Sequence, residues 1–544
     1  MFFDRRSLLL AGVGTALPLL GCHRSGNTEH IGGGFNGVDY SRGHRLQASG
    51  GAPSWPAPSV TYRTEVLIAG GGVAGLAAAR ALRLKGVEDF ALLELEDKAG
   101  GNARGGTVAG MACPLGAHYL PLPSDNAPEV QDLLEELGLR TRQSGRWIYD
   151  ERHLCHSPQE RLFFKGSWQE GLLPSHDVGA TTLVQYQKFS ALVAALQQQS
   201  HWTIPIRNRP PALMQKALAA ITFEGYLNQQ GLSDAHLRWY LDYCCRDDYG
   251  AGIAVVSAWA GIHYFASRHG FSVPGMETGE PEGLLTWPEG NAWLTRRLAA
   301  PLASRLHTGR VVLRIANLKH GVEVDAFNSA TQTFERWQAR RAVVALPIFV
   351  AARIVENPPN WLSAAAAQTV YAPWLVANIH IQAVLDDRPG APPSWDNVIY
   401  GSPQTAPGLG YVDAGHQRLQ SVPGATVLTH YRALGDLGLP GRQMLLATPW
   451  ATWRDAIVVE LSAPHPDLAA KATRIDITRY GHAMAIPVPR NNGQIGLWPL
   501  SNMREQLSTK YYNPIKDGGL TFAHSDWAGY SVFEEAFTMG HWAG

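Results

Sequence analysis

Thr64-Glu-Val-Leu-Ile-Ala69 runs directly into Gly70-Gly71-Gly72-Val73-Ala74-Gly75, and the chain continues from Leu76 to Lys85 as an alanine- and leucine-rich stretch. An apolar strand, a Gly-x-Gly-x-x-Gly turn and a helix, in that order, make the first half of a dinucleotide site. Gly70 allows the tight turn, Gly72 lets backbone approach a pyrophosphate, and Gly75 lets helix pack closely on strand, so that the phosphates sit at the helix N-terminus. A second apolar strand, Phe90 to Leu95, carries Glu94 about 20 residues further on, where a carboxylate accepts hydrogen bonds from ribose hydroxyls.

The next residues separate one cofactor from another. Glu94-Leu-Glu-Asp-Lys-Ala-Gly100-Gly101-Asn102-Ala103-Arg104 resembles the acid-then-Gly-Gly signature of FAD-binding amine oxidases, protoporphyrinogen oxidases and phytoene desaturases. The resemblance implies FAD rather than NAD. In that family an Arg commonly follows the Gly pair directly; here Asn102 stands there and Arg104, two positions on, is the candidate phosphate or flavin contact. The far end of the chain, Phe522-Ala-His524-Ser525-Asp526-Trp527-Ala528-Gly529-Tyr530 through Ala536, is similar to the family's C-terminal flavin segment. His524-Ser525-Asp526 replaces the usual Gly-Glu or Gly-Asp, so the resemblance gives Asp526 the acid role near the ribityl-pyrophosphate. Val312, in the strand read over Gly309 to Ile315, is placed by the same resemblance at the adenine.

Catalytic candidates follow from the family likewise. A lysine near flavin N5, linked in the family to oxygen reactivity, is missing from the corresponding strand, Tyr371 to His380. A dehydrogenase passing electrons to another acceptor, such as a quinone, is then as open as an oxidase using oxygen. Trp527-Ala-Gly-Tyr530 resembles the Trp-Ser-Gly-Tyr of monoamine oxidases, in which the tyrosine belongs to an aromatic cage beside the flavin; a core aromatic is the equal alternative for Tyr530. Gly116-Ala117-His118 resembles the family's turn near the flavin, giving His118 a role in accepting a proton or positioning substrate. Tyr480-Gly-His482-Ala-Met484 resembles its aromatic approach to the flavin's far side. For both histidines a satisfied structural role is the alternative. Arg246-Asp247-Asp248 is a candidate for binding a cationic substrate, against the plainer reading of helix-end ion pairs.

Asp4-Arg5-Arg6 followed by an apolar run from Leu8 to Leu20 has the layout of a removable signal, too short to span a bilayer. Its end, Leu19-Leu20-Gly21-Cys22, resembles a lipobox. The expectation is export by the twin-arginine route and attachment to the periplasmic side of a membrane through a lipid on Cys22. The remaining cysteines, Cys113, Cys155, Cys244 and Cys245, show no metal or haem spacing. Cys113 and Cys155 either pair in an oxidising compartment or stay as buried thiols.

With 544 residues, 45% of them hydrophobic, the chain is long enough for two sizeable domains. Its 46 basic and 46 acidic residues balance without a long basic block, which gives no electrostatic footprint for nucleic acid. The expected fold is α/β: a Rossmann-like, glutathione reductase-like FAD domain with an interleaved α+β substrate domain. Residues 1–22 form the signal and 23–62 a Gly-, Ser- and Pro-rich tether. The FAD domain takes 63–125, 285–347 and 490–544, with Arg341 to Pro347 closing its sheet, and the substrate domain 126–284 and 348–489, starting at a helix from Glu129 to Leu137. What the resemblance implies is removal of hydride from an amine, polyamines included. A carbon–carbon desaturase of the protoporphyrinogen or phytoene type is the next reading, and a flavin-binding lipoprotein without turnover the third.

Overall fold

The computed structural model describes residues 28–47, 55–206, 211–275, 283–401, 407–418, 422–497 and 514–544. The expected signal, with Cys22, lies outside them. The fold is the expected α/β arrangement of two large sheets, each of eight strands among the described residues.

The first sheet is parallel at its heart. Strand Val60–Ala69 lies between Phe90–Leu93 and Thr333–Val344, and Leu306–His307 extends the parallel order on the outer side of Phe90–Leu93. Leu67, Ile68, Leu92, Leu93 and Val344 are almost wholly buried, as parallel strands covered on both faces must be. Gly321–Asn328 joins antiparallel to the first half of Thr333–Val344 and Arg310–Leu318 antiparallel to Gly321–Asn328, while the short strand Leu520–Phe522 joins parallel to the last three residues of Thr333–Val344. The stretch expected to close the sheet, Arg341 onward, is therefore where the sheet forks. Its run of Ala342, Val343 and Val344 is apolar because it is paired on both sides, which an edge strand is not.

Helix Val73–Leu84 starts three residues earlier than its apolar pattern suggests, immediately after the glycine turn. Helix Phe533–Ala543 crosses it through bare backbone: a Cβ on Gly540 would lie 2.0 Å from the Ala74 carbonyl oxygen. Helix Pro128–Glu136, expected as the first element of the substrate domain, packs on this pair instead. Arg80 Nε reaches Glu136 at 2.6 Å, and the Trp542 indole donates to Glu129 at 2.7 Å.

The second sheet runs in the order Gly32–Phe35, Ala472–Ile486, Val370–Ile381, Thr426–Ala433, Tyr411–Asp413, Asp396–Ile399, Glu160–Phe164 and Ser167–Glu170. Leu375, Ala377, Ile379, Ile475 and Ile477 pack beneath Trp453, Ile457 and Leu461 of helix Trp450–Leu461. The register slips between Ala372 and Trp374, at Pro373, which has no N–H to give the ladder.

The sheet's edge strand overturns the expected tether. Gly32–Phe35 pairs in parallel with Arg474–Ile477, and Tyr40–His44 then forms a short helix capped by Asp39. The glycines that read as flexible linker are demanded by a close approach: Gly33 has a φ of +136° and a Cβ there would lie 1.9 Å from Ile475 O. Backbone hydrogen bonds hold such a strand without an apolar pattern to announce it.

Gly540→Ala tests the helix crossing. Forcing a methyl into the Ala74 carbonyl should cost about 1–3 kcal/mol, read as a lowered thermal midpoint; a midpoint equal to the parent's would mean that the two helices are not packed this closely.

Candidate active site

The glycine turn is shaped by contacts that leave one side open. Gly70 has a φ of +101°, and a Cβ there would lie 2.3 Å from the Ala345 carbonyl oxygen; a Cβ on Gly75 would lie 1.8 Å from Gly70 O. Gly72 differs from both. Its φ is ordinary, and a Cβ would meet nothing nearer than the Gly101 Cα at 3.9 Å. Gly72 begins the helix with no side-chain cap, so the first N–H groups point into this open side. Glu94 closes the turn from behind: Gly71 N–H donates to its Oε2 and Glu96 N–H to its Oε1, each at 2.8 Å. Burial pushes the Glu94 carboxyl up, against those two N–H groups, which hold it down. Each oxygen keeps a second lone pair for a ribose hydroxyl.

The Gly-Gly segment forms the facing wall. Gly100 N–H donates to Gly71 O at 2.7 Å, and Gly100 and Gly101 both have positive φ. Arg104 Nε donates to Gly101 O at 3.0 Å and its Nη1 lies 3.7 Å from Glu96. Arg310 N–H donates to Glu94 O, which sets the start of the strand bearing Val312 beside the ribose acid. From Asn102 the wall continues to the turn at 116–118: Ala117 N–H donates to Asn102 O, Tyr431 OH to Gly116 O and Tyr480 OH to Leu115 O. Asn102 Nδ2 also donates to Ala483 O, joining the wall to the stretch around His482. His482 stacks on Phe349 at 4.4 Å, and burial, with Arg442 beside it, brings its pKa down to about 4.

Three residues given site roles by the resemblance are buried against protein partners. Asp526 is almost completely buried, with its Oδ2 accepting from Ile348 N–H at 3.0 Å and Tyr371 OH at 2.5 Å and its Oδ1 3.2 Å from His524 Nδ1. Both oxygens face the protein, and the carboxylate braces the C-terminal segment against the forked strand. Tyr530, with no exposed surface, donates to Glu535 Oε1 at 2.8 Å and packs against Tyr249, Trp259 and His263. Trp527 lies among Trp361 and Phe522. Both rings are buried in the core.

His118 does lie on a partly open wall. Its ring stacks on Tyr431 at 4.4 Å, with Tyr119 at 5.0 Å and Trp395 at 5.5 Å. Burial brings its pKa down to about 3, so the imidazole is neutral at physiological pH. Asn291 holds the turn beneath it, through its backbone N–H to Ala117 O and its Nδ2 to Tyr119 O.

Beyond Tyr119 lies a group that the sequence reading largely missed. Helix Ala235–Tyr249 brings Tyr240, Tyr243, Cys244 and Asp247 onto one face, at the spacing i, i+3, i+4, i+7. Asp247 accepts from Tyr119, and Tyr243 OH donates to Asp396 Oδ2 at 3.5 Å. Asp396 pairs directly with Glu160 on the neighbouring parallel strand. Asp247, Asp396, Tyr119, Tyr240 and Tyr264 are all half-buried, and burial is the first cause of every pKa shift among them. They face a shared interior space rather than bulk water. Burial and the neighbouring Asp248 push Asp247 up to about 7; burial, Asp247 and Glu160 push Asp396 well above the carboxylate range. The ion-pair reading holds for the rest of the motif, since Arg246 pairs with Asp242 at 2.5 Å and Asp248 with Arg268 at 3.2 Å. Cys113, Cys155, Cys244 and Cys245 are free, buried thiols.

Residues 73–540 match the family of flavin containing amine oxidoreductases. The chain belongs to that family. It is 26% identical over 309 residues to an L-amino acid dehydrogenase of Synechocystis sp., covering 54% of this chain and 58% of that protein. It is 42% identical over 97 residues to a coproporphyrinogen III oxidase of Mycobacterium leprae, covering 18% of this chain and 20% of that one. The chain thus spans little more than half of one relative and a fifth of the other. Among solved structures, putrescine oxidase bound to putrescine superposes with a TM-score of 0.61 at 18% identity, and cyclohexylamine oxidase from Brevibacterium oxydans with 0.60 at 17%; each match covers 88% of this chain and 98% or 97% of the other. A fatty acid isomerase from P. acnes shares the fold with a TM-score of 0.57 at 13% identity, so the fold alone does not settle the substrate.

As a member of this family the chain is an FAD-dependent oxidoreductase, and the residues present fit the cofactor. Gly72 and the uncapped helix start leave an open cradle for a pyrophosphate, Glu94 stands at the ribose position, and Gly101 would hold nothing larger than hydrogen, a Cβ there lying 3.1 Å from Gly72. Gly72→Val should leave the apoprotein's thermal midpoint close to the parent's, since the added side chain enters open space, while the purified protein loses its FAD. Full flavin content in that variant would refute the assignment of the cradle.

Proposed function

We propose that the enzyme oxidises an amine that enters as a cation and carries no carboxylate near its reacting carbon, polyamines being the leading class. Bound FAD supplies the hydride acceptor. The observation that supports the amine is the pair Asp247 and Asp396, with Glu160 beside Asp396 on the neighbouring strand, among Tyr119, Tyr240, Tyr243 and Tyr264. Asp247 and Asp396, half-buried and coupled to each other and to the exposed Glu160, have their proton affinity raised and are relieved by a cation, while aromatic faces add cation–π attraction. Asp247, once ionised, would repel the carboxylate of an amino acid, which separates this reading from the activity named for the cyanobacterial relative. His118, neutral and stacked on Tyr431, offers an uncharged acceptor between this group and the Gly-Gly wall. Loss of the ammonium proton precedes hydride removal, because a second positive charge would otherwise build up beside the first.

Strand Val370–Ile381 contains no lysine. That supports a dehydrogenase that hands its electrons to an acceptor such as a quinone rather than to oxygen. The reading of Arg5-Arg6 and of Leu19 to Cys22 supports export by the twin-arginine route and a lipid anchor on Cys22 at the periplasmic face of a membrane. Cys22→Ser should move the protein from the membrane to the soluble periplasmic fraction with its flavin retained; unchanged fractionation would count against the anchor.

A permanently charged quaternary ammonium inhibitor reads the carboxylates without titrating itself. Asp247 must be ionised to receive it, so its affinity should rise with pH up to about 7, by as much as about tenfold per unit below that point. Asp247→Asn should weaken it and flatten the profile. An inhibitor bound equally well by parent and variant at pH 8 would overturn the proposal.

A further inference from the structure

We infer that residues 28–47 are a strap over the adenosine end of the FAD site and that Arg42 is the positioning residue through which it holds the ribose-acid loop, Glu94–Asp97. One end of the strap belongs to the substrate sheet. Gly32–Phe35 pairs with its edge, Asn36 N–H donates to Ile477 O at 2.9 Å, and Arg479 lies 3.6 Å over the Phe35 ring. Tyr40 OH donates to Arg479 O. The other end grips the FAD sheet. Arg42 Nη1 donates to Leu95 O at 3.0 Å, its Nη2 lies 2.8 Å from Asp97 Oδ1, and its Nε is held by Asp39 at 3.3 Å. One guanidinium thus spends all three nitrogens on the loop and on the cap of its own helix.

Two further contacts point the same way. A backbone N–H of Asp39 bonds the Glu96 carboxylate, which burial pushes up and Arg104 draws down, so the strap seals the outside of the loop whose inner face carries Glu94. Arg45 lies 4.0 Å over Phe327, and Leu46 joins Leu95 against Val311, Leu313 and Phe327, directly beside the strand of Val312. The loop is anchored at its root, by Gly309 N–H to Glu96 O and Arg310 N–H to Glu94 O. Across its outer side it is held by the strap. For the adenosine to leave, Glu94 must swing away from Gly71, and the strap blocks that swing; it also ties the event to the substrate sheet, which the loop itself does not touch through these bonds.

The test is the rate at which holoenzyme releases FAD on dilution, followed by the rise in free-flavin fluorescence, beside the thermal midpoint of each apoprotein. Arg42→Ala should release FAD about tenfold faster, the scale of one lost charge-assisted hydrogen bond, with the apoprotein midpoint unchanged. Arg42→Lys should fall between, keeping the Asp97 pair and losing the reach to Leu95 O. Should Arg42→Ala fail to fold, Asp97→Asn decides by the same measure, because Asp97 is four-fifths exposed and its loss disturbs no core. A release rate within about twofold of the parent's, or an apoprotein midpoint falling in step with the release rate, would overturn the strap. These outcomes are independent of the substrate, so they stand apart from the test of the amine reading.

Discussion

The buried carboxylate of Glu94 is the contact on which the cofactor site depends. It accepts from Gly71 of the glycine turn and from Glu96 of the loop that follows, binding the ends of two adjacent parallel strands into one rigid corner. Without it the turn would have one left-handed glycine, Gly70, and no carboxylate to hold the N–H that follows it. With it, Gly72 and the first N–H groups of the helix face one open cradle, and the wall from Gly100 to Ala117 is built against that corner. Desolvation opposes the ionised carboxylate, and two N–H donors oppose the desolvation; a bound ribose adds donors of the same kind.

The strand, turn, helix and acid of the first βαβ unit were legible because each element carries its own local code: an apolar run, obligatory glycines, an alanine-rich helix, and one acid at a fixed distance. The edge strand Gly32–Phe35 was not legible, since its glycines serve a close approach that composition cannot distinguish from flexibility. Only the end of Thr333–Val344 was recognised, as a strand from Arg341 to Pro347, and it was misplaced in the sheet. Pairing partners far away in sequence decide whether an apolar strand is central or at the edge, and no local pattern encodes them.

The site residues divide along the same line. The cradle glycines, Glu94 and the Gly-Gly wall that leads to His118 carry local motifs and come together around one open space. Asp526, Trp527 and Tyr530 are buried and held by protein partners, a packing that the order of residues along the chain does not reveal. Asp247 was visible only as one of three adjacent charges. Its neighbours Arg246 and Asp248 are ordinary ion pairs, and only the helical face shared with Tyr240, Tyr243 and Cys244 marks Asp247 as different. Asp396 and Glu160 meet across a strand pair and carried no sequence signal.

The forked strand also governs how the molecule is assembled. Arg63 pairs with Gln338 in the central parallel ladder, 275 residues apart, with the expected first segment of the substrate domain in the chain between them. Closing a loop of that length costs little more at equilibrium than closing a short one, since the penalty grows only with the logarithm of length. The search for the partner is what is slow. Until it ends, Val60–Ala69 has one open flank of backbone donors and acceptors along an apolar strand, the kind of edge that invites pairing with other chains. The nucleotide corner therefore cannot mature as an autonomous unit. Its central ladder waits on Thr333–Val344, and the far arm of the fork waits longer, on Leu520–Phe522, which follows most of the second sheet in the chain.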